Sequence, residues 1–257
     1  MPTATVVATA GPTLAPTAAP TATTATTAAP SATQAPTAPL REVRFIGLGL
    51  DAPDSPETPT ERFITVTMDG PGEVSAAVSD VTAGRVRLCL WRGDAATRTD
   101  EACRDVRNGG VAVAATDAGQ TQWTVSLIGA TDQSSPTASV VIRFHALVPT
   151  VTIDRFRFAG EEFGNYNGFV AELAAVETGM LELAARWADD EGTAYPYRML
   201  VEEIGSAAEP FEAEGGPTNE TQQSAPLAAD RSYRVTFANS VAIAETQVFL
   251  RATLSWP

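Results

Sequence analysis

Past residue 40, apolar and polar residues alternate with a period of two. In "RFITVTM", Ile64, Val66 and Met68 fall on one side of the chain. In "GRVRLCLW", Val86, Leu88 and Leu90 oppose Arg85, Arg87, Cys89 and Trp91. "QWTVSLIG" aligns Trp123, Val125 and Leu127, and "SVVIRFHA" aligns Val140, Ile142, Phe144 and Ala146. Successive side chains of an extended chain point to opposite faces, so the pattern predicts strands with one face buried and one wet. Gly, Pro, Asp and Asn punctuate the runs, as connections between antiparallel strands require. The fold class that follows is all-β, built from antiparallel β-sandwiches of the jelly-roll or Ig-like kind.

The plan occurs twice. "VSDVTAGRVRLCLW" is echoed by "LAAVETGMLELAARW", "QWTVSL" by "SYRVTF", "VVIRFHA" by "VFLRATL" and, more loosely, "VRFIGL" by "DRFRFAG". The copies lie about 95 to 112 positions apart, the length of one sandwich. A Pro interrupts the chain at "LVPTV", so the expected organisation is two tandem β-sandwich domains, 41–149 and 150–257. Gly84 and Trp91 are seven steps apart, whereas Gly179 and Trp187 are eight. One residue reverses side-chain parity, which turns Trp187 inward with Leu181, Leu183 and Ala185 and leaves Trp91 outside with the arginines.

Residues 1–40 have another character, since 32 of them are Ala, Thr or Pro. Pro removes backbone donors, and nothing here is large enough to build a core. The segment reads as an extended, stiff linker reaching roughly 3 Å per residue. Thr/Pro-rich stretches of this sort span walls or form stalks, and carry glycans when exported. The sharper alternative is donation of the segment as a strand to a neighbour's sheet edge, with Val6 and Val7 as its only anchors near the start.

Charge narrows the partners. The chain holds 31 acidic residues against 17 arginines and no lysine, for a net charge of −14. The second domain carries most of the imbalance, with 17 acidic residues to 7 arginines against 14 to 10 in the first. Such a surface repels phosphate backbones and anionic headgroups, which excludes nucleic acid as an expected partner. No run approaches the roughly 18 to 20 apolar residues of a membrane span. "MPTATVVATA" has neither the basic nor the apolar region of a signal peptide. The expected location is extracellular or in the cell envelope, with any export signal or anchor not present in this sequence.

The order of a strand, a Gly turn, "VRLCLWRG" and then "TQWTVSLIGATDQSSPTASVVIRFHA" resembles bacterial pre-peptidase C-terminal (PPC) domains. Those are small sandwiches appended to secreted enzymes and surface proteins, marked by a "DLYL"-like strand and a closing strand pair. Here "RLCLW" stands where "DLYL" would be, and the acidic residues are missing from both copies. The resemblance covers most of each domain. It implies a non-catalytic appendage, and the missing acidic residues remove its support for a metal role.

Few residues offer chemistry. Cys89 and Cys103 bracket "LWRGDAATRTDEA" at the ends of a hairpin connection. A disulfide closing that loop is expected and agrees with export; two free thiols in a reducing compartment are the alternative. His145, the single histidine, falls beside Arg143 on an outward strand face with no nucleophile elbow nearby, so no enzyme is expected. The pairs Glu161–Glu162 and Glu202–Glu203 read as solvated turn charge rather than as a glycosidase pair. "WADDEGTAY" offers Asp189, Asp190 and Glu191 as a calcium site, though without D-x-D-x-D spacing, and the sequence points to no other cofactor. "NET" makes Asn219 an N-glycosylation acceptor by sequence. Trp91, Tyr166, Tyr195 and Tyr197 are the candidate ligand platforms, each set against a place at the rim of the core. Trp123, Tyr233, Phe237 and Trp256 fall on apolar faces and read as core.

The sequence thus predicts an exported, non-catalytic accessory or binding protein with paired β-sandwiches on a stiff linker. Its expected target is polysaccharide, cell-wall material or a cell-surface protein. The alternative is a structural subunit of an extracellular filament or surface layer, self-associating through sheet edges or N-terminal strand donation.

Overall fold

A computed structural model describes residues 38–50, 61–82, 85–97, 103–107, 111–117, 121–129, 137–159, 168–188, 192–239 and 248–257. The linker expected over 1–40 lies outside them except for its last three residues. In the first half the alternating runs become β1 (Leu40–Gly49), β2 (Glu61–Met68), β3 (Gly72–Ser79), β4 (Arg85–Arg92), β5 (Cys103–Arg107), β6 (Val111–Asp117), β7 (Thr121–Gly129) and β8 (Thr137–His145). The second half supplies β9 (Thr150–Ala159), β10 (Gly168–Ala175), β11 (Gly179–Ala188), β12 (Tyr195–Glu203), β13 (Phe211–Thr218), β14 (Glu220–Leu227), β15 (Arg231–Ala238) and β16 (Val248–Ser255). A 3-10 turn at Ala95–Thr97 is the one helical element among the described residues, and none there is long and apolar enough to cross a membrane.

The strands pair antiparallel in two eight-stranded sheets that form a sandwich. The first sheet runs β13-β12-β15-β10-β1-β8-β3-β6 and the second β14-β11-β16-β9-β2-β7-β4-β5. Each half gives four strands to each sheet, and both sheets run unbroken across the middle. There β1 pairs with β10, placing Val43 opposite Leu173, and β2 pairs with β9, placing Ile64 opposite Ile153. Exchanging the halves leaves the topology unchanged, because β1-β8-β3-β6 corresponds to β9-β16-β11-β14, and β2-β7-β4-β5 to β10-β15-β12-β13. The molecule therefore has a pseudo-two-fold at the join.

This correspondence corrects one match made from sequence. The counterpart of β11 is β3, not β4: Gly179 and Gly72 each open a strand after a three-residue turn. "VSDVTAGRVRLCLW" and "LAAVETGMLELAARW" look alike because neighbouring hairpins share the same alternation, which period alone does not separate.

One apolar core passes through both halves. Phe45 of β1 meets Phe156 and Phe169 at the join, with ring centroids 6.0 and 6.1 Å away. The ring contacts continue through Phe237 to Tyr197, and Phe158 lies 4.3 Å from Trp187, inward as parity requires. Trp123, Tyr233, Phe237 and Trp256 are buried as well. Offset and edge-on contacts of this kind add to the area that the rings bury.

Arg41 ties the start of β1 to the connection between the halves and to Pro257. Its Nε donates to the Ala146 carbonyl at 3.0 Å, Nη2 to Leu147 at 2.7 Å and Nη1 to Pro257 at 3.2 Å. Burial lowers its pKa from the ordinary guanidinium value, and the charge of Glu177 opposes that shift. The three carbonyls supply the partners a buried cation requires.

The outermost strands differ. β13 carries Glu212, Glu214 and Pro217 and β14 carries Pro226, all residues that discourage a further strand. β6, "VAVAATD", has no charge before Asp117.

Because the core is continuous, Phe45→Ala is expected to cost about 3 to 5 kcal/mol. Calorimetry should show the two halves still melting together, in one transition lowered by on the order of 10 °C. Two separate transitions would refute the shared core.

Candidate functional site

The two cysteines form the expected disulfide, opposite each other on β4 and β5. With Phe63 and Trp91 they build a second small apolar cluster on the outer face of the second sheet. Trp91 lies on that outward face, as parity predicts, yet it is only 2% exposed. The chain after β4 turns back over it: Trp91 Nε1 donates to the Asp94 carbonyl at 2.8 Å, while Asp94 Oδ1 accepts from the N–H groups of Ala96 and Thr97. Trp91 meets the Phe63 ring edge-on at 6.1 Å, and the Arg155 guanidinium caps Phe63 at 4.9 Å. A ring so covered offers no platform to a ligand.

The same correction applies to Tyr195 and Tyr197, 2% and 7% exposed on the inner face of β12. Tyr197 lies against Gly215, where an added Cβ would come within 2.1 Å of its ring. Its hydroxyl accepts a hydrogen bond from Gln223 Nε2 at 2.6 Å. Tyr166 and the calcium candidates Asp189, Asp190 and Glu191 lie outside the described residues. Asn219 is exposed between β13 and β14, with Nδ2 donating to the Gly192 carbonyl at 3.0 Å. His145 Nδ1 bonds the Ala38 carbonyl at 2.9 Å, and its ring fills the place a side chain on Gly72 would take.

The second sheet's outer face is different in the second half. There β9, β16, β11 and β14 set their outward residues in cross-strand rows. One row reads Asp154, Arg251, Arg186, Glu220; the next reads Thr152, Thr253, Ala184, Gln222; a third reads Thr150, Ser255, Glu182, Ser224. Asp154 joins the first row through a bulge. Leu250 pairs with Phe156 and Ala252 with Ile153, so Arg251 faces two β9 residues. Arg155 has a φ of 61° in that bulge and donates its N–H to Asp154 Oδ1 at 2.8 Å.

Ala184 is the shortest side chain of the middle row, and longer ones surround it. The surface dips there into two adjoining depressions of about 530 and 460 Å³ that share Arg186, Glu220 and Arg251. Thr152 and Thr253 join their hydroxyls at 3.0 Å, and Ser224 Oγ donates to Glu182 Oε2.

The charges here are arranged unlike those on the first sheet. On that sheet Arg143 meets Glu42 at 2.7 Å, Arg234 meets Glu172 at 2.7 Å and Arg198 meets Glu212 at 2.6 Å. In the depression Arg186 belongs to no ion pair among the described residues, while Arg251 Nη1 forms a looser ion pair with Asp154 Oδ2 at 3.9 Å. The two arginines are direct cross-strand partners, an arrangement of like charges that destabilises. A chain with 31 carboxylates to 17 arginines has no shortage of counter-charges.

Reading the sequence for turns and aromatic rings passes over this site. Its signal is the polar phase of two strands, Glu182, Ala184 and Arg186 in one and Arg251, Thr253 and Ser255 in the other. That phase identifies a wet face without showing which strands share it.

No family model matches this chain, and no curated protein matches it. Among solved structures it is similar to one described as the M60 catalytic domain with the CBM51-1 and CBM51-2 domains from Clostridium perfringens ZmpB. The alignment covers 75% of this chain and 33% of that one, at 8% identity and a TM-score of 0.24. This chain spans about a third of that chain's length, and a likeness so slight carries no argument about ligand or activity.

Replacing both Cys89 and Cys103 by Ala removes a link across 14 positions. The expected loss is about 3 kcal/mol on the loop-entropy estimate. Iodide should then quench Trp91 fluorescence, which the native fold shields. An unchanged unfolding midpoint with unchanged quenching would show that the cover over Trp91 does not depend on the bridge.

Proposed function

We propose that this is an exported, non-catalytic binding protein that holds a polysaccharide or similar hydroxyl-rich ligand in the depression over Ala184. The observation that carries the reading is the difference between two parts of one sheet face. In the first half a disulfide-pinned connection covers it; in the second it lies open as rows of hydroxyl, amide and charged groups. A shallow, open surface lined by hydroxyl, amide and charged groups suits a hydroxyl-rich chain laid across it rather than an enclosed apolar ligand. The Cys89–Cys103 bridge suits an oxidising compartment, and the Thr/Pro-rich start of the chain suits display at a distance from a surface. An accessory role of this kind agrees with the resemblance to PPC domains. The single histidine is engaged with Ala38 and Gly72, in keeping with a protein that binds rather than transforms its ligand.

One observation favours the structural-subunit alternative. β6 ends its sheet without the charges and prolines that guard β13 and β14. Under that reading light scattering would show residues 1–257 assembling into regular polymers, and residues 41–257 would show whether the N-terminal segment is required. Under the binding reading both forms remain monomeric.

The binding reading predicts saturable retention of the full chain on a polysaccharide gel, with no release of reducing sugar. Ala184→Trp fills the depression from an exposed position. It should abolish retention while shifting the unfolding midpoint by roughly 0.5 kcal/mol or less. Retention unaffected by this substitution would place the site elsewhere, and no retention on any polysaccharide would remove the reading.

A further inference from the structure

We infer that the depression recognises a carboxylated sugar, a hexuronate unit of an acidic polysaccharide. In this assignment Arg186 and Arg251 hold the carboxylate, and Asp154 and Glu220 accept hydrogen bonds from hydroxyl groups on either side. The inference rests on the binding reading above and narrows its ligand class.

The order of charges across the four strands is the reason. It runs acidic, basic, basic, acidic, with the arginines as direct cross-strand partners. Adjacent strands lie about 4.8 Å apart, so two guanidiniums on neighbouring strands can meet on one carboxylate. A planar guanidinium fork matches the two oxygens of a carboxylate, and a shared anion would relieve the repulsion between the arginines. A neutral sugar would leave that repulsion in place. A densely sulfated or phosphorylated chain would meet Asp154, Glu220 and a net charge of −14. A ring that carries one carboxylate beside several hydroxyls satisfies all four residues together. Thr253 and Gln222, around Ala184 in the next row, add neutral hydrogen-bonding groups beneath such a ring.

The test is calorimetric titration of the full 257-residue chain with oligogalacturonate, its methyl ester and dextran sulfate. The ester keeps the hydroxyls and loses the charge. Oligogalacturonate should bind, with the ester about ten-fold weaker or more, and added salt should weaken the acid alone. Arg186→Gln and Arg251→Gln should each weaken the acid about ten-fold and leave the ester unchanged, with Arg186→Lys recovering part of the loss. Unfolding midpoints that are not lowered establish that these variants fold, since removing either arginine relieves the cross-strand repulsion. Equal binding of acid and ester, or wild-type affinity in both Gln variants, overturns the uronate assignment. So does tighter arginine-dependent binding of dextran sulfate, which would mark an anion site without sugar recognition. If a neutral polysaccharide is retained in an Ala184-dependent way while oligogalacturonate is not bound, the uronate assignment alone fails. If nothing is retained, the binding reading fails with it.

Discussion

Two backbone pairings at the middle of the molecule, β1 with β10 and β2 with β9, support everything else in it. A four-stranded sheet on its own ends in strands with unpaired amides and carbonyls, and both β1 and β2 are strongly apolar on one face. Each half closes the exposed edges of the other, satisfying the backbone groups and giving Phe45 partners from β9 and β10. Arg41, at the start of β1, then ties the connection between the halves to Pro257, so the join is held at its periphery as well as through its core.

The site is arranged from the same place. At the β9 bulge two successive side chains serve different halves: Arg155 caps Phe63 in the covered cluster, and Asp154 approaches Arg251 in the open depression. An irregularity of one residue beside the join thus helps to seal one face and to furnish the other. A regular strand would have sent these neighbours to opposite faces of the sheet.

Much of the fold was legible in the chain. Period-two alternation located the strands and their inward faces, and the position of the two cysteines pointed to the bridge that forms. Parity also assigned the correct faces to Trp187 and Trp91. What it could not supply was neighbourhood. Whether Trp91 is wet depends on a connection folding back over it, and its burial follows from Asp94 and Cys103 rather than from its own strand. The paired arginines lie 65 positions apart, at 186 and 251, and become neighbours only through the order of strands in the sheet. Alternation likewise does not distinguish adjacent hairpins, so by pattern alone β11 aligns with β4 instead of β3.

Two identical subunits joined about a true two-fold would have to carry every change twice, because an isologous arrangement repeats each residue. The halves here are covalently one chain and are free to diverge position by position. That freedom permits the outer face of β9, β16, β11 and β14 to be given up to recognition while its equivalent on β1, β8, β3 and β6 keeps a closed Arg143–Glu42 pair. Duplication followed by fusion can in this way convert a symmetric scaffold into one with a single working side, while the duplicate edges remain committed to holding it together.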